Sequence, residues 1–190
     1  MKDYDSFILR GIFTSYTIKD LQSSGTLLSP SLTNLEKKEA DMYSALSEKT
    51  RSGSIEMSKY YRYLFSLENS IRDLINDVLT EAFGTNWFDL KKTTDMNRKY
   101  DSRRQAEDKN RWHVGRNPHP IYYMDFGDLA LLITNHWDLF KDFFPDQHWI
   151  NSRMTECERS RNVIAHTNIL DAQEGDRLVM YLKDIINQIG

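Results

Sequence analysis

One short run of the chain has residue types and spacing suited to phosphodiester chemistry: Arg161-Asn162-Val163-Ile164-Ala165-His166. A guanidinium forms paired hydrogen bonds to a phosphate, an imidazole moves a proton near neutral pH, and a carboxamide orients either partner. These are the parts needed to cleave a phosphodiester without a metal. On a helix, Asn162 and His166 lie four residues apart on one face, with Glu158 one turn further back on the same stripe. Arg161 sits on the flank and reaches round through its long side chain. An Arg and a His near a helix C-terminus also complement the helix dipole, by a few tenths to about 1 kcal/mol, so spacing alone does not separate catalysis from capping. Glu158 reads as a surface i,i+4 partner before it reads as a helper.

A second set of candidates could touch a polyanion. Residues 91–116 hold nine Lys or Arg against four Asp or Glu, a local charge of +5 within a chain whose total is -3, which leaves -8 for the rest. Within that window Arg98, Lys99, Arg103, Arg104, Lys109 and Arg111 interleave with Tyr100 and Trp112. Arg103, Arg104 and Trp112 are the candidate substrate contacts, by phosphate pairing and base stacking; a solvated helix face fits the same pattern. His113 and His119 lie six apart in a turn-rich loop, but no cysteine or regularly spaced carboxylate accompanies them, so a solvated loop is the better reading than a metal site. His136 and His148 read as tip or capping residues. Trp87, Trp137 and Trp149 read as core or interface anchors. No Gly-rich phosphate loop, Ser-His-Asp order or Walker-type lysine is evident.

These residues need a frame to hold them. A chain of 190 residues can build one sizeable core plus an appendage. With 39% hydrophobic and 28% charged residues, it is expected to fold. Its single cysteine, Cys157, forms no intramolecular disulfide and no paired-cysteine zinc site, which fits a reducing cytoplasm. The longest apolar runs are too short to span a bilayer and the N-terminus lacks signal-peptide features, so neither membrane insertion nor secretion is expected.

The four prolines, Pro30, Pro118, Pro120 and Pro145, fall between segments of helical periodicity, and the chain reads as all-α. Tyr61, Leu64, Phe65, Ile71, Leu74, Ile75, Val78 and Leu79 mark a helix ending at Gly84. Asp125 starts a helix predicted over 126–143, Asp146 one reaching about His166, and Asp171 a last one through Ile189. Residues 91–116 are expected to be an exposed helix and then a loop. Earlier in the chain, Phe7 to Ile18 fit either a short helix or a pair of β-segments; 22–26 read as a turn, 32–49 as an amphipathic helix and 50–54 as a linker. The predicted division is an extension over 1–57 and a helical domain over 58–190.

The Arg161–His166 motif, placed late in a helical domain with one helix after it, resembles the Arg-x4-6-His motif of the HEPN superfamily, the higher-eukaryote and prokaryote nucleotide-binding helical domains. The stretch from Tyr61 to Arg72, followed by Phe83-Gly84-Thr85-Asn86-Trp87-Phe88, resembles the long opening helix of prokaryotic HEPN domains. This resemblance covers about 58–190. It implies an all-α, HEPN-like helical bundle with an N-terminal extension, acting as a homodimer with two motifs facing across a cleft. It further implies an endoribonuclease needing no metal or other cofactor, with Arg161 binding the scissile phosphate, His166 transferring protons and Asn162 orienting both. The implied products are a 2′,3′-cyclic phosphate and a 5′-hydroxyl, and the implied setting is phage defence or a toxin with an antitoxin or regulatory partner. A HEPN fold kept as a non-catalytic RNA- or nucleotide-binding module or dimerising scaffold is the alternative. HEPN toxins paired with a nucleotidyltransferase often carry a Tyr two residues after the His; here that position is Asn168, which puts neutralisation by that route in doubt.

Overall fold

Leu64, Leu67, Ile71, Ile75 and Leu79 recur at spacings of three and four and are all buried along one face of a helix, α1 (Glu48–Phe83). Each such side chain removed from water contributes roughly 1.5–3 kcal/mol. The helix stops at Gly84, whose φ of +82° lets its amide close on the Thr80 carbonyl at 2.8 Å. Only glycine takes that left-handed conformation without a Cβ penalty.

The computed structural model describes residues 16–17, 21, 42–110 and 112–189. After α1 come α2 (Trp87–Lys91), α3 (Thr94–Asp108), a 3-10 turn (Pro120–Tyr123), α4 (Phe126–Asn135), α5 (Trp137–Phe140), α6 (Gln147–Ala165) and α7 (Ala172–Ile189). Among the described residues there is no strand, and the fold is all-α as the sequence predicts. No helix among them is long and apolar enough to cross a membrane.

One core joins these helices. The α1 stripe meets Phe126, Leu129, Leu132 and Ile133 of α4, Ile150, Met154 and Cys157 of α6, and Leu178, Leu182 and Ile185 of α7. α4 packs chiefly on α6, and α6 on α7. Trp87 is fully buried and its indole N–H donates to Asn76 Oδ1 at 3.1 Å; Trp137 and Trp149 pack at the core edge. These three therefore serve as the anchors expected of them. α7 comes close enough to α1 for the Tyr60 ring to lie directly against Gly175.

Three local expectations are corrected. The helix predicted over 126–143 breaks at His136, because His136 Nδ1 bonds the Leu132 carbonyl at 3.0 Å while the backbone amide turns to Ile133 at 3.3 Å. The ring of His136 is held there by an edge contact with Phe83. Residues 50–54, predicted as a linker, are helical and belong to α1, where the Ser52 hydroxyl donates to the Glu48 carbonyl at 2.9 Å and the one glycine costs only about 1 kcal/mol. The predicted helix over 32–49 is described only from 42 onward, where 42–44 make a single turn separated from α1. The expectations for Phe7 to Ile18 and for 22–26 lie outside the described residues, apart from 16–17, which are helical.

The chain divides into two compact units, Met1–Ser52 and Gly53–Gly190. That division falls a few residues before the predicted one.

Candidate active site

Asp146 starts α6, its carboxylate accepting the Trp149 amide at 2.8 Å. From there the helix buries Ile150, Met154 and Cys157 on one stripe. Arg161 continues that stripe past the edge of the core, so it is half-buried, whereas Asn162 and His166, on the adjoining stripe, are exposed. Arg161 Nη1 donates to Asn162 Oδ1 at 3.2 Å, and the His166 amide donates to the Asn162 carbonyl at 3.1 Å. The structure thus gathers Arg161, Asn162 and His166 on the last turn of α6. Neither Arg161 nor His166 forms an ion pair among the described residues.

The turn is closed in an unusual way. His166 is the helix C-cap, and Thr167 after it takes φ +57°. The Asn168 amide reaches back to Val163 at 3.1 Å and the Thr167 amide to Ile164 at 3.0 Å, the paired bonds of a Schellman motif. A β-branched residue in the left-handed region is costly. Two local bonds oppose that cost: Thr167 Oγ1 and Asn168 Nδ2 both donate to the His166 carbonyl, at 2.7 and 3.3 Å. Beyond them Ile169 lies against Gly53 and the Leu170 amide meets Met57 Sδ at 3.2 Å, so the segment after His166 is tied to α1. Sequence reasoning missed this closure, since Thr-Asn carries no glycine to announce a left-handed turn.

Glu158, on the stripe of Asn162 and His166, forms no ion pair among the described residues. Its carboxylate lies beside Gly127 in the first turn of α4, where a helix N-terminus favours negative charge.

No hydrogen bond or ion pair among the described residues joins the three predicted substrate contacts to the motif. Arg103 Nη2 pairs with Asp125 at 2.8 Å and Nη1 donates to the Tyr123 carbonyl. Lys99 pairs with Asp128 at 2.8 Å and with Asp125 at 3.4 Å. Burial works against the Asp125 charge, but Arg103 and Lys99 outweigh it and hold the carboxyl below its ordinary range. Burial likewise opposes the Lys99 charge, and the bond to Asp128 reverses that and raises its pKa. Half of the basic face of α3 is therefore a clamp on α4, whose capping box uses these same acids, rather than a free face. Arg104 is more exposed, with long contacts to Tyr123 Oη (3.4 Å) and Asp108 (3.5 Å). Trp112 is 84% exposed, with only an edge contact to His113. Arg111 lies outside the described residues.

The remaining candidates have structural duties. His119 caps the 3-10 turn, Nδ1 accepting the Ile121 amide at 3.3 Å, with its ring near Trp87. His113 is exposed and held by its neighbour's carbonyl. Among the described residues no group of three His, Cys, Asp or Glu side chains could hold a metal. Burial pushes the Cys157 thiol up to about 12, which keeps it a thiol and a poor nucleophile.

Compared with curated proteins and with solved structures, the chain finds no match. The family model of Swt1-like HEPN domains, by contrast, matches residues 62–190, from the middle of α1 through α7 and across the whole Arg161–His166 turn. With its all-helical core and that turn at the end of the penultimate helix, the chain belongs to the HEPN superfamily.

Proposed function

We propose that this protein is a metal-independent endoribonuclease, acting as a homodimer whose two Arg161–His166 turns face one cleft. One observation carries the reading: the turn displays a guanidinium, a carboxamide and an imidazole together, with the arginine and the histidine engaged in no ion pair among the described residues. In this reading Arg161 binds the scissile phosphate and stabilises its growing charge. His166 takes the proton of the ribose 2′-hydroxyl as its oxygen bonds to phosphorus; a proton returns to the departing 5′-oxygen as the P–O5′ bond breaks. The products are a 2′,3′-cyclic phosphate and a 5′-hydroxyl. Asn162, bonded to Arg161, fixes the guanidinium in place, and of the three predicted substrate contacts Arg104 and Trp112 are exposed and able to meet the strand.

Family membership supports a nucleotide- or RNA-directed role. A cytoplasmic toxin or phage-defence effector, restrained by an antitoxin or regulatory partner, is the setting this chemistry fits. The buried reduced Cys157 suits that compartment.

The test is incubation with total RNA in EDTA. Wild type is expected to cleave, and His166→Ala and Arg161→Ala to lose on the order of 10²–10⁴-fold in rate with unchanged melting temperature. Cleavage that needs a divalent metal, or survives in His166→Ala, overturns the proposal. Binding without cleavage by the wild type would make the domain a non-catalytic RNA-binding module.

A further inference from the structure

Tyr61 and Phe65 stand one turn apart on α1 and remain 58% and 57% exposed, with rings 6.3 Å apart. They open onto a cleft of about 290 Å³ walled on its far side by Asn117 and Tyr122. At its base is Arg72, a buried guanidinium that donates through Nη2 to Glu68 and to the Met124 carbonyl (3.2 Å) and lies 5.5 Å from the Tyr122 ring centroid. Its Nε is sealed from solvent and meets no acceptor, the only buried side-chain polar atom so placed among the described residues. Native interiors seldom leave such a group unpaired, and those that do call for a specific reason.

The charges of the cleft cancel internally. Arg72 pairs with Glu68, and Arg116, at the rim, pairs with Glu107. Phosphate would find no net positive charge. What the cleft offers is flat aromatic surface and a mixed set of hydrogen-bonding groups. Asn69 uses its amide nitrogen on the Phe65 carbonyl (2.8 Å), leaving its oxygen as an acceptor. Asn117 uses its oxygen on the His119 amide (3.0 Å), leaving its nitrogen as a donor. Aromatic faces with donors and acceptors at the edge are how proteins hold an unpaired nucleobase. The volume, just under the roughly 300–1,000 Å³ of drug-sized sites, suits one base or nucleoside.

The location fits as well. The segment following His166 is pinned to Met57, and Phe65 lies eight residues further along α1, about 12 Å at 1.5 Å per residue. Met57, Tyr61, Phe65 and Glu68 share one broad face of the helix, so a strand lying across the Arg161–His166 turn can continue toward the cleft.

We infer that this cleft seats one unpaired base of an RNA strand and so sets a base preference near the point of cleavage. The inference rests on RNA as the substrate of the motif, but its test does not require cleavage. The full-length protein is titrated calorimetrically with adenosine, guanosine, cytidine and uridine, and the His166→Ala protein with a single-stranded RNA decamer. At least one nucleoside is expected to saturate, with Phe65→Ala and Asn69→Ala each weakening it tenfold or more at unchanged melting temperature, and inorganic phosphate failing to compete. Absence of nucleoside binding at millimolar concentration overturns the inference. So does equal binding by Phe65→Ala and Asn69→Ala, or competition by phosphate. A change of oligomeric state in Phe65→Ala with nucleoside binding intact also overturns it, by making the aromatic pair a subunit interface. Nucleoside binding without RNA cleavage defeats only the nuclease reading; cleavage without nucleoside binding defeats only this one.

Discussion

The Asn168 amide reaches back 3.1 Å to the carbonyl of Val163, and Thr167, between His166 and Asn168, is thereby held at φ +57°. The last turn of α6 is locked by a conformation that its own sequence disfavours. Relief of left-handed strain is worth about 1–3 kcal/mol, against about 0.4–1 kcal/mol for the added freedom of glycine in the unfolded chain. The exposed Thr167–His166 bond offsets a further 0.5 kcal/mol or so. Thr167→Gly is therefore expected to stabilise the protein by roughly 0.5–1 kcal/mol, read as a higher denaturation midpoint. A lower midpoint would show that the hydroxyl bond, and not the backbone, sets the turn.

Gly175 admits no side chain, because a Cβ there would overlap the Tyr60 ring. Overpacking of this kind costs about 1–3 kcal/mol. Gly175→Ala is expected to lower the denaturation midpoint accordingly. Tyr60→Leu in the same chain should return part of the loss, a coupling that a double-mutant cycle measures. Additive effects would mean that α7 shifts along α1 to make room.

His119 links stability to pH. Burial holds its pKa below the ordinary histidine value, and its Nδ1 must stay unprotonated to accept the Ile121 amide. A folded-state pKa below the unfolded one means that the unfolded chain takes up the proton first as pH falls. The His119 contribution is thus complete above about pH 6.5 and declines as pH drops through that value toward the folded pKa. His119→Asn retains a side-chain cap without the titration. Its melting temperature should fall less than wild type's between pH 7.5 and 5.5; an equal fall would place the sensitivity elsewhere.

Much of the architecture is written in local sequence. The spacing of Leu64, Ile71, Ile75 and Leu79, the glycine at 84, and the acids at 125 and 146 each act on the nearest turn of backbone. Helix identity and ends could therefore be read residue by residue. The Asn162–His166 pair was legible for the same reason, since four-residue spacing on a helix puts two groups on one face, with Arg161 on the stripe beside them. His136 shows where local reading stops: its sequence permits helix to continue, and a side-chain bond to Leu132 together with the Phe83 ring ends it.

Only tertiary structure decided which charges are occupied and which are displayed. Lys99, Arg103 and Arg104 look alike in sequence, yet the first two clamp the acids at the start of α4, more than twenty residues away, while Arg104 stays about half exposed with only long contacts. Glu158 faces Gly127, and Arg72 lies at the base of a cleft whose opposite wall is set by Asn117 and Tyr122. Such pairings depend on how helices cross. A sequence carries helix periodicity within a few residues, whereas a crossing is fixed only when the buried faces of several helices are packed at once.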